Sequence, residues 1–154
     1  MDILEDILTT LGLKGALYFR TDCTAPWAIS VPKLDQAARF HLVLQGHCHV
    51  RLESGTEISL SAGDLVLIPR GQAHILSDKP VNEAPPLEQI MQQSGYDGSG
   101  VLIVGDQNEQ APCRLICGHF TFRNGADHPL LHALPDDITA TTSDRAQHPL
   151  LDEL

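Results

Sequence analysis

Hydrophobic residues arrive in short bursts along this chain, each cut off by glycine, proline or an acid. The sharpest is Leu65-Val-Leu-Ile68, four apolar residues too few for a helix and closed by Pro69. Gly63 and Asp64 before it predict a turn, because Gly tolerates positive φ and Asp bonds its own backbone. Pro69-Arg70-Gly71 predicts another turn, and His74-Ile75-Leu76 the next strand. Similar bursts over 15–21, 26–32, 38–44, 47–53 and 57–60 predict strands as well. In 47–53, Cys48, Val50 and Leu52 share one face, which leaves His47 and His49 on the opposite, wet one. The stretch 38–44 is apolar on nearly both faces. Hairpins spaced this closely pair as antiparallel neighbours, the layout of a jelly roll or barrel.

Two segments depart from the two-residue alternation. Over 2–11, Ile3, Leu4, Ile7, Leu8 and Leu11 fall at helical spacing between a capping Asp2 and Gly12, predicting an amphipathic helix packed on the barrel. From 77 to 100 the Pro80, Pro85-Pro86 and Gly95–Gly100 positions mark a long loop, with a short helix over 87–93. Strands over 101–104 and 113–122 complete the sheets. The domain is expected to span 1–135, with the acidic 136–154 as a solvated tail or linker.

Composition narrows the function. The 154 residues suffice for one core, and 20 acidic against 10 basic residues give a formal charge of −10. That balance disfavours direct contact with a phosphate backbone. No apolar run approaches the ~20 residues that cross a membrane, and the first residues lack a signal-peptide pattern, so a cytoplasmic chain is expected. Cys23, Cys48, Cys113 and Cys117 lack the close pairs of a zinc site. Cys113 and Cys117, four apart in a strand rising ~3.3 Å per residue, lie roughly 13 Å apart and outside the ~7 Å reach of a disulfide. Packed, reduced thiols are expected.

The spacing Gly63, five residues, Pro69, one, Gly71, two, His74 resembles the second motif of the cupin superfamily. That resemblance implies an all-β jelly-roll barrel with an inward histidine. With Arg39-Phe-His-Leu-Val-Leu-Gln-Gly46, Arg114-Leu-Ile-Cys-Gly-His-Phe-Thr-Phe122 and His128-Pro-Leu-Leu-His-Ala-Leu-Pro135, residues 2–135 resemble the N-terminal effector-binding domain of AraC-type transcription regulators. In that group the barrel senses a small molecule and often dimerises, while a separate helix-turn-helix region binds DNA. No helix-turn-helix motif occurs in these 154 residues.

Measured against the family's metal motif, Arg39 stands where a Glu ligand is usual, and no histidine occupies 31–36. His47 and His49 follow the turn glycine rather than preceding it. His41 and His74 remain as candidate ligands of a divalent metal (zinc, iron or nickel), with Cys117 or His119 completing the set. The other reading has Arg39, His41, His74, Trp27 and Cys117 binding an organic effector, with Arg39 favouring a polar or anionic one. The functional expectations are therefore a sensor domain, homodimeric and without nucleic-acid contact of its own, a small metal-dependent enzyme of dioxygenase or isomerase type, and, as a third option, a structural dimerisation domain with a filled barrel and no ligand.

Overall fold

The computed structural model describes residues 17–35, 37–105, 112–121 and 135–140. The helix expected over 2–11 and the motif around His128 and His132 lie outside the described residues.

Among them the chain forms β1 (Leu17–Cys23), β2 (Ala28–Val31), β3 (Ala37–Gln45), β4 (His47–Leu52), β5 (Glu57–Ser61), β6 (Leu65–Ile68), β7 (His74–Ser77), α1 (Leu87–Ser94), β8 (Val101–Val104), β9 (Cys113–Thr121) and β10 (Ile138–Ala140). Two sheets result, in strand orders β10-β6-β3-β9-β1-β8 and β2-β7-β4-β5. This is the all-β jelly-roll arrangement, antiparallel throughout except where β8 runs parallel to β1. Ile138–Ala140, inside the stretch expected to be solvated linker, pairs with Leu65–Leu67 as an edge strand. Ile138 and Thr139 favour strands, but three residues are too few to show a periodicity that announces one; an available sheet edge supplies the hydrogen bonds.

The fully apolar β6 is explained by two-sided burial. Val66 and Ile68 join the interior cluster, which also holds Ile29, Val43, Val50, Leu52, Leu76 and Leu115. Leu65 and Leu67 face the other way, beside Ala38, Phe40 and Leu42. Strand β3 is thus divided by its pleat: Phe40 and its neighbours outward, Arg39, His41 and Val43 inward. On β4, Cys48, Val50 and Leu52 are buried, while His47 is exposed and His49 meets Glu57 at 3.2 Å.

Between β6 and β7 the chain changes sheets. Gly71 N–H donates to the Ile68 carbonyl at 3.0 Å, closing a β-turn with Pro69 at its second position. Gly71 has φ of 61°, and a Cβ there would collide with the Leu34 and Ala37 carbonyls. The turn therefore aims His74 from one sheet at His41 on the other.

Gly71→Ala combines left-handed backbone with a collision and should cost well over about 1 kcal/mol in urea unfolding. Gly55→Ala, also at positive φ but with open space around it, should cost less. Equal losses would remove the role given to this turn.

Candidate functional site

Each inward side chain of β3 faces one from β9. Arg39 pairs with His119 and His41 with Cys117, and β1 places Phe19 opposite Cys117. Residues directly opposed in a sheet share a face, so Arg39, His41, Cys117, His119 and Phe19 line one side of the interior. His74 comes from the opposite sheet. Its Nε2 lies 2.7 Å from His41 Nε2, and the rings meet edge-on with centroids 4.9 Å apart.

The tautomers follow from one outside contact. His74 Nδ1 lies 2.9 Å from the Gln72 carbonyl, which only accepts, so Nδ1 carries the proton. In a neutral ring His74 Nε2 is then the acceptor, and His41 Nε2–H donates to it. His41 Nδ1 is left as a bare lone pair, buried and without a hydrogen-bond partner. Burial lowers both imidazoles from the usual 6.5, His74 to about 4, with Arg39 adding repulsion to each. Both rings are therefore neutral near pH 7.

Arg39 is the second unsatisfied group. Its Nε is buried without a hydrogen-bond partner, and among the described residues no carboxylate pairs with it. Thr21 donates its hydroxyl to Cys117 Sγ at 3.9 Å, and burial pushes that thiol up to about 12. Arg39, His41, Thr21 and Cys117 border a cavity of about 20 Å³, closed by Phe19, Ile29, Val31, Leu76, Leu102 and by Leu87 of α1. That is room for about one water. Arg39, His41 and Cys117 share this cavity, which is nearly filled by aliphatic side chains; His74 hydrogen-bonds to His41 but borders a separate cleft of about 250 Å³ with Ser30, Arg51, Glu53 and Asn82.

Trp27 is not among them. It is buried and borders a separate cleft of about 310 Å³ with Pro26, Pro85, Ile90, Gln93 and Val104, between α1 and the end of β8. Thr21 and Leu87 were not anticipated. Thr21 is legible in hindsight from the alternation Phe19, Thr21, Cys23, whereas Leu87 follows a diproline in a loop and carries no local signal.

A divalent metal does not fit the donors as placed. Two nitrogens bound to one zinc stand roughly 3.3 Å apart in tetrahedral geometry, whereas these two imidazoles share a hydrogen bond at 2.7 Å. Arg39 contributes a positive charge where a cation would sit. Among the described residues, no three His, Cys, Asp or Glu side chains are placed to hold an ion. The expected partners Cys117 and His119 share the inward face without completing a coordination sphere.

Comparison with known proteins places this geometry in context. A family model described as Cupin matches residues 2–154. The HTH-type transcriptional regulator AlkR of Acinetobacter baylyi is 30% identical over 141 residues, covering 90% of this chain and 44% of that protein. The HTH-type transcriptional regulator MtrA of Neisseria gonorrhoeae is 25% identical over 140 residues, with coverage of 90% and 44%. The chain thus spans less than half the length of these curated relatives. Among solved structures, the protein YhaK from Escherichia coli matches at a TM-score of 0.43 and 9% identity, over 82% of this chain and 40% of that one.

The neutral histidine pair sets a pH dependence. Folding depresses both pKa values, so below about 6.5 the unfolded chain takes up protons before the folded one does. Stability should therefore fall as pH drops from 6.5 toward 4, by an amount on the order of 3 kcal/mol from His74, and level off once folded His74 titrates. Urea unfolding at pH 7 and pH 4.5 should show this loss, and the double variant His41→Leu/His74→Leu should lack it. An equal acid sensitivity in both proteins would count against neutral buried rings.

Proposed function

The chain belongs to the cupin family, and from that premise we propose that it is the effector-sensing domain of an AraC-type transcription regulator. The observation that carries the proposal is the pair of unsatisfied polar atoms, Arg39 Nε and His41 Nδ1, turned into the barrel beneath Leu87. Leaving a buried donor or acceptor unpaired costs about 1–3 kcal/mol. A fold that keeps two of them in one cavity is poised for a guest that satisfies both. The matching guest carries an acceptor for the guanidinium and a donor for the imidazole, as a hydroxy acid or a small carboxylate with its first water shell does.

The relatives named above give the regulator context, since both are HTH-type transcriptional regulators and this chain aligns with the same share of each. The DNA contact would then belong to a region other than this acidic barrel. A cytoplasmic homodimer is the form this reading takes, because paired helix-turn-helix regions read paired half-sites.

The small cavity makes a specific demand. On this reading an organic effector enters by displacing Leu87, the one lining side chain that comes from the helix, so α1 moves when the ligand binds. Helix α1 is held mainly by buried Ile90, with Leu87, Met91 and Tyr96 partly buried against the core and Tyr96 5.8 Å from Phe19. A ligand that binds the open arrangement better than the closed one shifts that equilibrium, which is what a sensor requires.

A thermal-shift screen of small carboxylates and hydroxy acids tests the reading. A true ligand at about 100 times its Kd should stabilise the protein by about 2.7 kcal/mol. Arg39→Gln should abolish that gain, and Leu87→Ala should raise affinity by removing the plug. A ligand that stabilises the Arg39→Gln protein equally would overturn the proposal, as would failure of every anion in the screen.

A further inference from the structure

All four cysteines lie buried in the interior cluster, Cys23 on β1, Cys48 on β4, and Cys113 and Cys117 on β9. Two of them are directly opposed. Cys23 and Cys113 form the last pair of the antiparallel β1–β9 ladder. Opposed antiparallel residues hold their Cα atoms roughly 4.5–5.5 Å apart, inside the ~4.4–6.8 Å window of a disulfide. Each thiol also shifts the other's titration, raising Cys23 and lowering Cys113. We infer that Cys23 and Cys113 are an oxidisable dithiol, a modification site that hydrogen peroxide converts to a cross-strand disulfide.

No other pair on β9 has this placement. Cys117 stands four residues from Cys113 on the same strand, and its cross-strand partners are Phe19 and His41. The Cys23–Cys113 pair lies at the barrel rim, where Pro112 and Gly46 beside it are exposed. A water-sized oxidant therefore reaches Cys113 by a small opening of the ladder end. Of the two sulfurs Cys113 is the better nucleophile: its Cys23 neighbour and the His47 backbone lower its pKa and so favour its thiolate. Cys23 is held protonated by the Cys113 thiol beside it and by burial.

The chemistry balances in two steps. Cys113 thiolate attacks one peroxide oxygen, the O–O bond breaks, and the departing hydroxide takes a proton to become water, leaving a sulfenic acid. The Cys23 sulfur then attacks Cys113 Sγ, the S–O bond breaks, and the second water leaves with the Cys23 proton. The two thiols give up two electrons and two protons, and peroxide becomes two waters. The bond would fix β1 on β9 two residues beyond Thr21, in the ladder that carries Cys117 of the cavity.

Trypsin places the four cysteines on four peptides, 21–33, 40–51, 71–114 and 115–123. After peroxide treatment of the full chain, titration under denaturing conditions should find two free thiols of the original four. Non-reducing digestion should join 21–33 to 71–114, and a dithiol reductant should separate them. Cys48→Ser and Cys117→Ser should each preserve the link. Four surviving thiols, a link through Cys48 or Cys117, or Cys113 oxidised with Cys23 still free would each overturn the inference.

Discussion

One contact between the two sheets organises the interior: the hydrogen bond from His41 on β3 to His74 on β7. A buried imidazole without a partner is expensive, and burying two charged ones together is prohibitive. The fold resolves this by keeping both rings neutral and chaining their protons. The Gln72 carbonyl fixes the His74 tautomer, His74 fixes the His41 tautomer, and the deficit is passed along to His41 Nδ1. The chain of donors and acceptors ends inside the barrel on a lone pair facing the cavity.

Arg39 gives that cavity its electrostatic character. Burial and the lack of a carboxylate partner among the described residues leave its cation poorly compensated. The same charge lowers the pKa of His41, His74 and His119. A cation is disfavoured there, and an anion would relieve the guanidinium while leaving the imidazoles neutral. The donor set as placed therefore suits an anionic guest better than a metal ion.

The interior is polar in only a few places, and the cavity there is closed by apolar side chains from the strands together with Leu87 of α1. On the proposed reading Leu87 is the plug whose displacement couples binding to a movement of α1. The dithiol at the β1–β9 rim is independent of that plug. It acts through the ladder itself, because opposed strand positions have little freedom to separate.

Much of this was written in the local pattern. Residues 63–76 announce β6, the Pro69–Gly71 turn and the strand at His74, because turn chemistry and strand alternation act over a few neighbours; the inward aim of His74 is implied by the family resemblance. The alternation of 47–53 likewise separated buried Cys48 from exposed His47. What the pattern could not convey was pairing between distant segments. The short strand Ile138–Ala140, the closure of the cavity by Leu87, the removal of Trp27 to another cleft and the opposition of Cys23 to Cys113 all depend on register between strands and on how one helix lies across them. Local sequence determines which face a side chain takes, because the pleat has a period of two. Only the assembled sheets decide what it meets there, because that depends on residues dozens of positions away.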